Sequence, residues 1–468
     1  YIRRRFDCSD FYLVYYPYIL RTFGKRGSGI LSEKTENELT DCLLGFRYWI
    51  DEPGNDAMWF WSENHALMFH TCQLLAGELF PDEVFTNSGL TGRQMQAKAK
   101  NMLYDWFVTF RKEGFTEWNS SPYLPIDTLG FGSLYAFAQD PAMRELGREG
   151  MDFAYYLLAV HSQQGIFASS SGRTYIKEQF GNWSNCPSGL SWIGYGYGVP
   201  GHAGKGITSY CLSDYEPPKE FAQWFSIPRG KEMICQTTQG NDGYVDLYTY
   251  KTADYMMTSA NDFHPGEPGH QENPFQLTFN AVAQLWVTHP GERVLFGAAR
   301  PSYWAGNGTL PKVNQYKAFA GLIYDIAPEH PVDFTHLYLP SMEFDRCEVE
   351  GKWAFVQLGS AYAAVYCSNG MRMQDFGSNK DRECIAEGRR CIWLVRAAQA
   401  DEFVAFEDFK AAMRGAALDA DAEGRRYRFV DPVYGELRCQ WGETLYVNDA
   451  PMQYSGFDNY GKLTMQEK

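Results

Sequence analysis

The chain reads as an α+β protein of two parts, a helical N-terminal domain over residues 1–222 and an antiparallel β domain over residues 223–468. Three observations predict this. Apolar residues in the first 160 positions recur at spacings of three and four, the period of a helix face. From about Trp224 onward short β-branched and aromatic runs are cut by Gly, Pro, Asn and Asp, the texture of strands and turns. Between them, Pro217-Pro218 marks a break in both patterns.

The helices follow in order. Leu31–Ile50 opens with Ser32 as an N-cap and carries Leu39, Cys42, Leu43, Phe46 and Ile50 on one face. Trp59–Phe80 carries Leu67, Met68, Cys72, Leu75 and Leu79 and stops at Pro81. Thr91–Lys112 carries Met95, Ala99, Met102, Leu103, Trp106 and Phe110 and is closed by Gly114. Pro122–Ala138 and Pro141–His161 are two more. Gly, Ser and aromatic residues then dominate residues 165–206, which predicts long loops, followed by a short helix over Ile207–Tyr215. Strands are expected within residues 243–260, 275–289, 353–368, 390–398 and 402–409. Regular short strands with frequent turns predict an antiparallel sandwich, and successive helix pairs fit a helical barrel.

Composition excludes several classes. Of 468 residues 45% are hydrophobic, which rules out disorder. With 42 Lys and Arg against 57 Asp and Glu the net charge is −15, unsuited to a nucleic-acid partner, which needs clustered cations. No apolar stretch reaches the ~18 residues of a membrane span. Eleven cysteines are scattered without a C-x-x-C pair, against a zinc ribbon or a disulfide framework and mildly in favour of a reducing, cytoplasmic compartment. Tyr1-Ile2-Arg3-Arg4-Arg5 opens the chain without Met, the expectation for a fragment or processed form. Aromatics reach 16%, in keeping either with a large aromatic core or with an aromatic-lined carbohydrate cleft.

Four polar clusters are candidates for chemistry. Glu63-Asn64-His65 stands at a helix start, where capping and a site are both natural readings. Glu117-Trp118-Asn119-Ser120-Ser121-Pro122-Tyr123 lies between two helices. Ser171-Gly172-Arg173-Thr174-Tyr175 offers one Arg on a flexible backbone, suited to an anionic group. Tyr195, Tyr197 and His202 lie in the glycine-rich stretch. Together they supply Asn, His, Tyr and Arg, the set that β-elimination from a uronic-acid glycoside needs. The substrate carboxylate must be neutralised to stabilise an enolate-like intermediate, and a Tyr or His must take the C5 proton. The competing reading is a hydrolase using the carboxylates Glu63, Glu117 and Asp127. A non-catalytic glycan-binding protein is the third.

Asn64-His65, the EWNSSPY segment 117–123, the SGRTY segment 171–175 and the helical-then-β order resemble the heparinase II/III-like and alginate-lyase-like polysaccharide lyases. That resemblance implies an incomplete (α/α) toroid followed by a β-sandwich, and an anionic polysaccharide or oligosaccharide as partner. It implies Asn64 as carboxylate neutraliser, His65 as the group that takes or shares the C5 proton, Tyr123, Tyr195 or His202 as further catalytic groups, and Arg173 on the acidic sugar. Glu63, Glu117, Asn119, Tyr175 and Tyr197 join as substrate contacts, with His264, His270 and Trp304 from the β domain. It implies a secreted or periplasmic protein. No organic cofactor is required, and a structural metal ion of the kind some members hold has no assigned ligands here.

Overall fold

The computed structural model describes residues 1–180, 185–200, 205–240 and 243–468. Helices dominate the N-terminal part and antiparallel sheets the C-terminal part. The chain forms two compact units. The helical one comprises Tyr1–Phe115, Tyr123–Tyr156 and His202–Lys219, and the sheet-bearing one Thr116–Pro122, Leu157–Gly201 and Glu220–Lys468.

In the helical unit local signals set the ends. Ser32 caps Glu33–Leu44 by accepting from the Thr35 amide, and Gly45 closes it, so residues 46–50 are not helical as the apolar spacing predicts. Glu63–Leu79 starts four residues later than its pattern and is buried almost all round. Thr91 and Gln94 form a reciprocal capping box at the start of Gly92–Glu113, satisfying two otherwise orphaned amides. Leu124–Phe137 has Pro125 in its first turn, where a missing N–H costs nothing. It packs on Glu63–Leu79 through Gly130, where a Cβ would stand 2.9 Å from the Leu67 side chain. Two short helices, Asp10–Leu13 and Tyr15–Phe23, add to what the pattern predicts. One apolar cluster, with Leu43, Phe46, Met68, Phe69, Phe85 and Ile126, fills this unit's interior.

In the sheet-bearing unit the described residues form antiparallel sheets of nine, six and five strands, besides a two-stranded hairpin of Ser162–Gln163 with Ile166–Phe167. The nine-stranded and six-stranded sheets contribute to one buried cluster, Tyr250, Met257, Leu277 and Val287 from the former and Phe319, Leu322, Val365 and Ile392 from the latter. Register is fixed by this burial, because slipping one residue would turn every such side chain outward. Thus Tyr366 stands opposite Leu394, and Leu322 opposite Trp393.

Two local expectations need correction. Residues 402–409 do not form a strand; from Phe406 they turn into the helix Phe406–Gly415. Phe406, Phe409 and Met413 recur at three and four and are buried, and Glu407 and Asp408 occupy the first turn, where acids complement the helix dipole. Phe403, Phe406 and Phe409 give the segment a strand-like composition that masks this helical period. Within the glycine-rich stretch Cys186–Tyr195 is helical, started by Pro187 and closed by Gly196 in the left-handed region at φ 73°.

Candidate functional site

In the sheet-bearing unit three polar sequence segments meet. The first is residues 117–121, the second 169–175, the third the loop 262–273. Trp118 is fully buried among Val245, Leu247, Ala260, Phe263 and Leu310, and that apolar anchor fixes the segment carrying Glu117 and Asn119. Its ring meets Phe263 edge-on at 5.6 Å, beside His264. Gly172 packs on the same indole: its amide donates to the Trp118 carbonyl at 2.8 Å, and a Cβ there would lie 2.6 Å from Trp118 Nε1. Ser171 and Asn273 exchange backbone hydrogen bonds of 2.9 and 2.7 Å, and the Thr174 amide donates to the Gln271 carbonyl at 3.0 Å. Ser120 Oγ donates to the Arg173 carbonyl at 3.0 Å, and Asn119 Nδ2 to the Ser170 carbonyl at 3.3 Å.

This stitching positions charge. Arg173 Nη1 lies 3.4 Å from Glu117 Oε1, and its Nη2 lies 3.2 Å from the Tyr175 hydroxyl. The guanidinium carbons of Arg173 and of exposed Arg300 sit 5.6 and 5.4 Å from the centre of the Tyr175 ring. Two guanidinium groups thus share one aromatic face beside Glu117. Arg300 was missed by the sequence reading; its signal is a lone Arg directly before the aromatic loop Pro301–Trp304.

Beside it lies a narrow recess of about 20 Å³, room for about one water, lined by Asn119, Ser121, Ser171, Thr174, Glu178 and Gln276. Asn119 Oδ1 and Ser121 Oγ are buried there and have no hydrogen-bond partner among the described residues. Asn119 also holds a left-handed backbone at φ 49°, a conformation uncommon outside glycine. The recess thus takes one hydrogen-bond donor, a water or a hydroxyl, against these two oxygens.

Other candidates in this unit stand apart from that patch. His264 is exposed and 3.3 Å from Glu267; the His270 amide donates to Glu272. Trp304 is 1% exposed and stacks on the His336 ring at 4.3 Å, so it serves as core. Tyr195 and Tyr197 both pack on Phe225 at 5.2 Å. His202 lies outside the described residues.

In the helical unit Asn64 and His65 occupy the first turn of Glu63–Leu79, and both are buried. Ser62 sits at the cap position but makes no capping bond; its hydroxyl donates to Asn64 Oδ1 at 3.2 Å. His65 is 6% exposed, stacks on Phe11 at 4.5 Å, and holds Asp10 Oδ2 on Nδ1 at 2.9 Å. Burial alone would lower the imidazole pKa, but its hydrogen bonds to Asp10 and Cys8 and their negative charge push it up to about 9. Burial raises the Asp10 carboxyl, with His65 opposing. Tyr123, at the start of Leu124–Phe137, is partly buried against the cluster that includes Met68 and Phe69, next along the helix from His65. Asn64, His65 and Tyr123 therefore sit at the starts of two helices packed together at Leu67 and Gly130. Glu63 is half-buried and its carbonyl accepts from Trp106 Nε1 at 3.1 Å, while Asp127 is buried in the first turn of Leu124–Phe137.

Among the described residues one group of three His, Cys or acidic side chains comes within ligand reach, Asp7, Cys8 and His65. No disulfide joins cysteines among the described residues. No helix of the described residues is long and apolar enough to cross a membrane. The chain matches no protein-family model, and no curated protein matches it.

Proposed function

We propose that this chain is a polysaccharide lyase that cleaves a uronic-acid-containing polysaccharide by β-elimination, its helical part an incomplete (α/α) toroid and its sheets a β-sandwich. The observation that carries the reading is the joining of the EWNSS, SGRTY and His264–Asn273 segments around Arg173, Arg300 and Tyr175. Guanidinium groups recognise carboxylates through paired, charge-assisted hydrogen bonds. An acidic protein that binds an anionic polymer needs such cations at the point of contact.

Asn64 and His65 neutralise the carboxylate of the sugar to be cleaved, by hydrogen bonds that strengthen as charge builds on it. Tyr123 takes the C5 proton. The electron pair left at C5 forms the C4–C5 double bond, the C4–O4 bond breaks, and Tyr123 passes the proton it took from C5 to the departing O4. Within the sheet-bearing unit, Arg173, Asn119 and Tyr175 form a patch suited to an acidic sugar. Incubation with alginate, heparan, chondroitin, hyaluronan and plant uronides tests the reading: a lyase yields an ultraviolet-absorbing unsaturated uronate. New reducing ends without that absorbance indicate hydrolysis through Glu63, Glu117 or Asp127, and neither product indicates a glycan-binding protein.

A further inference from the structure

We propose that Asp7, Cys8 and His65 hold a divalent metal ion of the zinc class, with Asp10 as the residue that orients the imidazole. The ligand atoms of the three lie within 4.8 Å of one another. Around a tetrahedral ion, with bonds of ~2.0–2.3 Å, such atoms stand about 3.3–3.8 Å apart, so closure asks for shifts of about 1 Å. One carboxylate, one thiolate and one imidazole form a donor set that selects zinc-like ions over magnesium or calcium, which take oxygen alone.

The surroundings suit that role. Histidines that bind metals through one ring nitrogen usually donate the other N–H to a carboxylate, which fixes the tautomer. Asp10, fully buried, does this at 2.9 Å on Nδ1, and an ion on the other ring nitrogen would replace the His65 hydrogen bond to Cys8, displacing a proton. Stacking on Phe11, nearly parallel at 13°, holds the ring plane. Cys8 has a left-handed backbone at φ 64°, an uncommon state for a residue with a Cβ and one that clusters at functional sites. The Asp7 carboxylate spends Oδ1 on the Trp59 amide at 3.2 Å and keeps Oδ2 for a ligand. Exposure falls from Asp7, exposed, through Cys8 to His65, buried, so the ion has a path from solvent. Three protein ligands leave a fourth position for water or a substrate oxygen.

The assignment deepens the lyase reading at one point: with the ion seated, the His65 share of carboxylate neutralisation passes to the metal. Binding itself does not depend on that reading. The test is a titration of the chelator-treated full chain with cobalt(II) chloride, following the near-ultraviolet thiolate-to-cobalt charge-transfer band. The band saturates at one equivalent and is displaced by zinc. Cys8→Ser abolishes it, Asp7→Asn weakens binding, and Asp10→Asn weakens it about 10- to 100-fold. Circular dichroism checks each variant's fold, and Asp7→Asn, on an exposed side chain, carries the test if a buried substitution unfolds. Absence of the band in the intact chain, or its persistence in Cys8→Ser, overturns the site. A cobalt band with no unsaturated product leaves the metal and removes the lyase; product without the band does the reverse.

Discussion

Arg173 and Glu117, 56 positions apart in sequence, face each other at 3.4 Å, each side chain still about a fifth exposed (18% and 19%). A pair that is still in partial contact with solvent adds modest stability, so the arrangement matters more for where it leaves the guanidinium. Glu117 and the Tyr175 ring hold it in place, and Arg300 adds a second cation on that ring.

Arg173→Ala should therefore raise KM for an anionic polymer by about 10- to 100-fold, the loss of charge-assisted hydrogen bonds, with a smaller change in kcat. Arg300→Ala should act in the same direction and more weakly. Affinity of the wild type should fall with added salt, and that slope should flatten in Arg173→Ala. Steady-state kinetics at several ionic strengths check this; an unchanged KM in both variants contradicts it.

Gly172→Ala should damage the patch without touching a charge. Its Cβ would stand 2.6 Å from Trp118 Nε1, on an indole with no room to retreat. Overpacking of this sort costs about 1–3 kcal/mol. Denaturant unfolding should show that loss, and substrate affinity should drop with it.

The order of N-terminal helices and C-terminal antiparallel sheets was legible in the sequence because periods of 3.6 and 2 are imposed by burial on one face. Helix starts were legible where a cap is chemical, as at Ser32 and Thr91, and ends were blurred where only apolar spacing spoke, as at Ile50. The helix Cys186–Tyr195 hid because glycine and serine are poor helix formers, and tertiary packing of Leu190 overrode that propensity. Of the candidate site, Glu117, Asn119, Arg173 and Tyr175 were legible as polar residues in Gly- and Pro-marked segments. Their meeting with the 262–273 loop was not, since it depends on burying Trp118 against Phe263, a long-range contact no local pattern encodes. Asp10 was missed for the same reason: it reaches His65 across 55 positions.

Lys251 gives the sheet-bearing unit a pH signature. It is fully buried, its ammonium donates to the Ala159 and Trp224 carbonyls at 2.9 and 2.6 Å, and burial lowers its pKa to about 7. Unfolded, a lysine titrates near ~10.4. Between those values the unfolded chain binds one more proton than the folded one, so this residue's contribution rises with pH from about 7 to ~10.4 and is flat below 7. Comparing unfolding free energies of the wild type and Lys251→Met across that window should show the wild type gaining relative to the variant as pH rises. A constant difference contradicts it.

Glu383 tests a different buried charge. Its carboxylate accepts from Tyr303 Oη at 2.5 Å, His336 Nδ1 at 2.7 Å and Asn379 Nδ2 at 2.8 Å, entirely within the interior. Burial raises the carboxyl pKa, but these donors and the imidazole outweigh it and hold it below its ordinary value. Its stabilising contribution is thus present above the unfolded pKa of ~4.3 and is lost as pH falls through the lower folded value. Glu383→Leu, which strands the donors, should cost about 3–5 kcal/mol at neutral pH by denaturant unfolding.

The most direct test of the central claim is product absorbance in paired variants. On a uronide that the wild type cleaves, the account predicts an ultraviolet-absorbing unsaturated product, a loss of turnover of about 10²–10⁴-fold in Tyr123→Phe and in His65→Ala, and a native fold in Tyr123→Phe, which keeps its ring. New reducing ends without absorbance, with activity intact in Tyr123→Phe and abolished in Glu117→Gln or Glu63→Gln, would contradict it.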